Sequence, residues 1–515
     1  MAGLAPAAPA TGAAVPVTER SATTLARAIR EGELTSREVV EAHIEVLRRR
    51  EPALGAIVCD RYDAALAEAD AVDERLASGG DAPLVGAERT TSATGTLAPS
   101  ESVGTRMGVF TGVPCTIKEA IALEGMPFTS GVVARRGEVA AGTAPTAARL
   151  LAAGAIPLGV TNTSELTMWV ESDNRVYGRT NNAYDPARTA GGSSGGEGAA
   201  VGAGGAPIGL GSDIGGSIRL PAFFNGVFGH KSSSWLVPNS GQFPPAEGDL
   251  TRMLAVGPLA RRAEDLMPVL RTIAGPDGVD PLTREVELGD PATVKLHGLP
   301  VIVSEGASVL PVARELLNAR ERAAGALAAA GAVVRTESMR SIRRAMEYYL
   351  ATLGSGTGPD VWSMVSSDPG VPPRLRTLAR DALRGRGDHT LPLVFLLLGE
   401  KLQARTPAGR VRRAIEAGRA LADEVEGVIG EGVLLHPPFP RVAPKHGRTV
   451  GRPWMILPVA AFNLMGLPAT QIPLGLNPEG LPLGVQAVAG RDRDHVSIAV
   501  AVELERVFGG WVPPR

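Results

Sequence analysis

The chain has 515 residues, 44% hydrophobic and 21% charged, with a formal net charge of −2, an ordinary balance for a soluble globular protein able to bury a large core. A charge so near zero argues against a nucleic-acid partner, which calls for a basic footprint, and no run reaches the ~18 apolar residues of a membrane span. Two cysteines, Cys59 and Cys115, allow at most one disulfide, and the seven histidines form no i,i+4 pair and no HExxH, so neither an oxidising compartment nor a metal site is indicated.

Residues 1–20 read as a disordered leader. Residues 1–16 are rich in Ala and Pro and lack a charged n-region, so no signal peptide is expected and the default location is cytoplasmic. Thr35-Ser-Arg-Glu38 is a capping-box pattern, with Val39, His43, Ile44 and Leu47 following at helical spacing and Pro52 expected to end the helix. A second helix fits Asp63–Leu76. Residues 81–106 are polar, small and aperiodic, the pattern of a surface insertion.

Val113, Cys115 and Ile117 alternate with Pro114 and Thr116, which predicts a short strand ending at Lys118. A helix over 143–153, a buried strand over 155–160 and a short helix over 164–170 follow. This rhythm predicts an α/β fold whose sheet is covered on both faces. Residues 195–203 read as a close-packing Gly/Ala helix, and 208–210 lead into the turn holding Ser217. Beyond Pro258 the expectations are a helix over 262–274, a strand over 299–304, a helix over 312–330 and a strand over 332–335. Residues 340–430 read as mostly helical, and their Leu391–Leu398 run suits a core helix, an apolar substrate wall or a membrane-touching flap. A strand over 432–435, the 462–490 segment and a helix over 495–508 complete the chain.

The chemistry gathers in 189–217, where Ser193-Ser194 and Ser217 sit among glycines. Glycines let a turn present a hydroxyl with free N–H groups around it, as a nucleophile and an oxyanion hole require. A serine needs a base within hydrogen-bond reach. His230 and His436 are open as that base, although neither has an acidic neighbour in sequence. Lys118, alone in an apolar stretch, is the other candidate, provided that burial takes it from ~10.4 toward ~7–8. As a structural residue it would instead pair with Glu119.

The segments GGSSGGEGAAVGAGGAPIGLGSDIGGSIRLPAFFNGVFGHK and TGVPCTIKEA resemble the signature of the amidase signature family of serine hydrolases, with 75 residues from Lys118 to Ser193 and 24 from Ser193 to Ser217. GAIPLGVTNTSELTMW, PNSGQFP and GLPATQIPLGLNPEGLPLGVQAVAG are most similar to the fatty-acid amide hydrolases of the second vertebrate type. The likeness runs from about Thr35 to Pro513 with gaps at 81–106 and 340–430. It implies one large domain over 21–515, with a mixed twisted central sheet under helices on both faces and a substrate pocket shaped by 340–430.

The resemblance also implies the roles. Ser217 is the nucleophile, Ser193 the bridging serine after a cis Gly192–Ser193 bond, and Lys118 the base. The amides of Ile214, Gly215, Gly216 and Ser217 form the oxyanion hole. Ser194, Ser212, Asp213 and Arg219 support them, and Met168 and Trp169 stand in the substrate-wall region. No metal and no organic cofactor is implied. The partner is a small-molecule amide, with long-chain fatty acyl amides favoured and aryl or small amides as alternatives. The vertebrate relatives carry an N-terminal membrane anchor that is not expected here, which leaves peripheral membrane contact and a homodimer open.

The glutaminase subunit of tRNA-dependent amidotransferases shares this triad. Glu197, the FFNG after the nucleophile and the FGGW tail fit the amide hydrolases better. A nucleotide-binding loop is disfavoured, because Gly226–Ser232 breaks the GxxxxGK[ST] spacing.

Overall fold

A computed structural model describes residues 15–79, 108–355 and 360–515. Thirteen strands are present among them: β1 (Ile57–Asp60), β2 (Val113–Lys118), β3 (Ala155–Thr161), β4 (Asp173–Asn174), β5 (Gly178–Arg179), β6 (Ile208–Asp213), β7 (Phe228–Lys231), β8 (Ala255–Ala260), β9 (Pro300–Glu305), β10 (Val333–Ser338), β11 (Val433–His436), β12 (Ala469–Leu476) and β13 (Pro482–Ala489). Eleven form one mixed sheet in the order β1-β3-β2-β6-β8-β7-β12-β13-β11-β9-β10, and β4 and β5 pair separately. β3, β2 and β6 run parallel to one another, as do β11, β9 and β10. The strands between those two sets pair antiparallel. The fold is α/β.

Helices cover both faces, so the central strands are buried along their whole length. Every residue of β2, β3, β6, β8 and β13 is buried. The alternation read in 113–117 therefore marks a wholly buried strand and not a half-exposed one. The two edge strands, β1 and β10, keep partial exposure along their length.

The helix Gly195–Gly202 lies so close to the sheet that a Cβ on Gly196 would come within 2.4 Å of the Asn162 amide nitrogen. Its glycines permit that approach. The buried Glu197 of the same helix accepts hydrogen bonds from Thr116 of β2 at 2.6 Å and Thr161 of β3 at 2.7 Å. Strand ends and helix are thereby held as one platform under the serine turns.

Several expectations need correction. Thr35 caps its helix as a full capping box, but the helix runs Ser36–Leu54 with Pro52 inside its final turns; Gly55, left-handed at φ 58°, ends it instead. Of the predicted leader, residues 1–14 lie outside the described residues. Residues 17–19 form a 3₁₀ turn, and the carbonyls of Glu19 and of Arg20 just after it accept hydrogen bonds from Arg262 and Arg261 respectively. That part is bonded to the fold. The insertion read at 81–106 lies outside the described residues. The helix expected over 164–170 is a 3₁₀ turn, Glu165–Thr167, with positive φ at Leu166 and Thr167. Strands β1, β7 and β8 and the helix Leu457–Met465 had no counterpart in the sequence reading. Cys59 and Cys115 are free thiols. Among the described residues no helix is long and apolar enough to cross a membrane.

Candidate active site

β2 delivers Lys118 at its C-terminal end, and β6 delivers Ser212 and Asp213 at its own. Parallel neighbours place those ends side by side. The Gly192–Ser193 peptide is cis, and Ser172 holds that turn by donating to the Ser193 carbonyl and accepting from the Gly195 amide, both at 2.9 Å. The Ser194 amide donates to the Ser217 carbonyl at 3.2 Å and ties the two serine turns together. Ser194 Oγ also donates to the Ser212 carbonyl at 3.2 Å.

Lys118 Nζ lies 2.7 Å from Ser193 Oγ and donates to Ser212 Oγ at 3.0 Å. Lys118 is fully buried, Ser193 is 1% exposed and Ser217 is 6% exposed, so the base is the most buried of the three and Ser217 the least. Burial pulls the Lys118 ammonium down to about 7, against the upward pull of Asp213, Glu197 and Glu119. Glu119 does not pair with the lysine as the structural reading had it. Its carboxylate accepts from the Thr129 and Ser130 amides and from Tyr177. Burial raises the Glu197 carboxyl to about 7.

Asp213 organises the turn that carries Ser217. It accepts from the Gly216 amide at 2.6 Å, the Ile218 amide at 3.1 Å, Arg219 Nε at 3.0 Å and Asn463 Nδ2 at 2.8 Å. Burial alone would raise this carboxyl, but the Arg219 charge and its hydrogen bonds, with those of Asn463, hold it well below the usual carboxylate range. Arg219 is itself fixed by Gln486 and Asn463. One expectation changes here. The Gly216 amide is taken by Asp213, while the amides of Ile214, Gly215 and Ser217 meet no acceptor among the described residues. Those three can serve an oxyanion; Gly216 supplies the bend, at φ 108°.

The hydroxyls of Ser217 and Ser193 are not hydrogen-bonded to each other. Such catalytic contacts are commonly long before substrate arrives and tighten when it does. The histidine alternatives are occupied elsewhere. His230 does have an acidic partner, Asp494, at 3.0 Å, with Thr470 on its other nitrogen. His436 bonds to Ser304, and burial lowers it to about 3.

A cavity of about 660 Å³ has Ile214, Met168, Trp169, Met364, Leu396 and Gly399 among its walls. Met168 and Trp169, which the resemblance assigns to the substrate wall, are thus lining residues of a cavity. The Leu391–Leu398 run divides its work within the helix Leu391–Gln403. Leu393, Val394 and Leu397 are buried, Phe395 and Leu396 line the cavity, and Leu398 is exposed.

Two buried carboxylates missed in the sequence hold these walls together. Glu165 accepts from His389 and from the amide and hydroxyl of Thr390, at the head of that helix. Glu171 accepts from the Gly447 amide and Thr449, and Thr449 in turn accepts from Trp169 Nε1. The only sequence signal was their presence beside Met168 and Trp169.

Residues 87–497 match the protein family described as Amidase. The chain is 41% identical over 502 residues to "Fatty-acid amide hydrolase 2-A" of Danio rerio, covering 96% of this chain and 90% of that protein. It is 40% identical over 516 residues to "Fatty-acid amide hydrolase 2" of Homo sapiens, covering 97% and 92%. The solved structure of the peptide amidase from Stenotrophomonas maltophilia superposes with a TM-score of 0.73 at 24% identity, over 97% of this chain and 99% of that one; this likeness concerns the fold. Fold and sequence together define a hydrolase that acts on amide bonds. The chain belongs to the amidase signature family.

Proposed function

We propose that this protein hydrolyses long-chain fatty acyl amides to acid and amine through an acyl-enzyme on Ser217. The observation that carries the reading is a mostly apolar cavity whose lining includes Ile214 of the serine turn, together with the buried Lys118–Ser193 pair. The names of the relatives at 40–41% identity support the same substrate class.

Neutral Lys118 accepts the Ser193 proton as Ser193 accepts that of Ser217, and Ser217 Oγ attacks the amide carbon. The carbonyl oxygen becomes an oxyanion held by the Ile214, Gly215 and Ser217 amides. The C–N bond then breaks, and the amine leaves with a proton returned from Lys118 through Ser193. Water, deprotonated by the same relay, attacks the acyl carbon, the acyl–Oγ bond breaks to release the acid, and the relay returns the proton to Ser217. Each oxyanion donor is worth about 10²–10³ in rate.

The test is a series of saturated acyl amides of graded length with the purified chain. The expected result is a kcat/KM that climbs with acyl length. A maximum at acetamide or aryl amides, or efficient glutamine turnover, overturns the fatty-acyl reading.

A further inference from the structure

The cavity walls are largely apolar, and three of the polar side chains among them are already engaged. Glu400 accepts from the Val361 amide, Asp360 from the Ser363 amide, and Gln403 donates to the Ala351 carbonyl. Gln242 differs. It lines the same cavity and is only 8% exposed, yet its Oε1 is buried without a hydrogen-bond partner among the described residues. Leaving a buried amide oxygen unpaired costs about 1–3 kcal/mol, so an unpaired amide on a residue that lines a cavity is a place where ligand is expected to supply the partner.

The backbone here is firmly placed. Gln242 forms a bridge with Ile121, three residues beyond Lys118. The Ala122 amide donates to the Gly241 carbonyl at 2.9 Å and the Phe243 amide to the Ala120 carbonyl at 3.0 Å. Ser130 Oγ donates to the Phe243 carbonyl at 2.6 Å. The side chain therefore projects from a segment stitched directly to the loop that follows the catalytic strand. Thr167, another lining residue, also has a hydroxyl with no partner among the described residues.

We infer that Gln242 is a specificity-determining residue: its amide pairs with one hydrogen-bonding group, such as a hydroxyl, carried by an otherwise apolar substrate. The inference rests on the acyl-amide reading and refines it. An amide both donates and accepts, so it can pair with a hydroxyl in either sense. A hydroxyl entering the cavity without such a partner would lose its hydration uncompensated, which is how a polar residue discriminates between substrates alike in size.

The experiment uses two matched pairs of acyl amides in which a hydroxyl replaces a methyl. One pair differs on the amine side, as N-(3-hydroxypropyl) against N-butyl. The other differs on the acyl side, as 3-hydroxyacyl against 3-methylacyl. Gln242→Met keeps the length and removes the hydrogen bond. In one of the two pairs the hydroxyl-to-methyl ratio of kcat/KM should drop about tenfold in this variant, mainly through KM. The affected pair shows which end of the substrate the residue reads.

Fluorophosphonate labelling at wild-type rate certifies that the Gln242→Met site is assembled. Should that variant not fold, Gln242→Asn withdraws the amide by one methylene and should lower the same ratio. An unchanged ratio in both pairs, or an equal fall for both members of each pair, overturns the inference. If the wild-type enzyme hydrolyses no acyl amide of either pair, the acyl-amide reading fails instead.

Discussion

The buried lysine fixes how the rate must depend on pH. Only the neutral amine can take the proton of Ser193, so kcat/KM follows the neutral fraction of Lys118 in the free enzyme. With burial holding that group at about 7, roughly a tenth is neutral at pH 6, about half at pH 7 and about nine tenths at pH 8. The rate should rise about fivefold from pH 6 to 7 and less than about twofold from pH 7 to 8. Other groups sit in the same window: Glu51, Glu197 and Glu505 are raised to about 7 and Lys231 is lowered to about 7, burial being the main cause of each shift. Lys118→Ala separates them. It should lower the plateau by about 10²–10⁴ and remove the inflection. The assay is kcat/KM on an amide that does not ionise between pH 6 and 9, with circular dichroism to certify the fold. A flat or falling wild-type profile refutes the reasoning, as does an inflection near 7 that survives in Lys118→Ala.

Three further outcomes follow from the packing. Gly399 lies on the cavity wall, and a Cβ there meets nothing within 4 Å. Gly399→Leu should cut kcat/KM for long acyl amides at least about tenfold and spare short ones, while helix propensity raises stability by about 0.5–1 kcal/mol; equal effects on all lengths would count against the wall. Arg219 and Asp213 form an ion pair with both side chains fully buried. Arg219→Leu strands the carboxylate and should cost about 3–5 kcal/mol in urea unfolding, and a loss under 1 kcal/mol would contradict its place in the turn. A Cβ on Gly216 would lie 2.4 Å from Val459 Cγ2 at a φ of 108°. Gly216→Ala should therefore displace the turn and lower kcat by about 10², and wild-type kcat in that variant would contradict the geometry.

Much of the site was legible because its chemistry is local. Lys118 stood out as a lone cation in an apolar strand, and the serines as hydroxyls among glycines. What they do depends on a few strand ends that the sequence places in order. The rest depends on contacts between distant residues. Asp213 claims the Gly216 amide only because the turn folds back on it, and His230 meets Asp494 across 264 positions. Strand β7 escaped notice because it carries the polar pair His230 and Lys231, although both are fully buried. The cavity was visible only in part. Met168, Trp169 and the Leu391–Leu398 run pointed to it, but Gln242 and Met364 reach it from segments with no periodic signal of a shared wall.

The central claim is that Ser217 carries the acyl group and Ser193 only relays its proton. The most direct test is to treat the purified protein with a fluorophosphonate and locate the adduct by peptide mass spectrometry. The account predicts modification at Ser217, no labelling of Ser217→Ala, and slowed labelling at the same residue in Ser193→Ala. An adduct on Ser193, or undiminished labelling of Ser217→Ala, would contradict it.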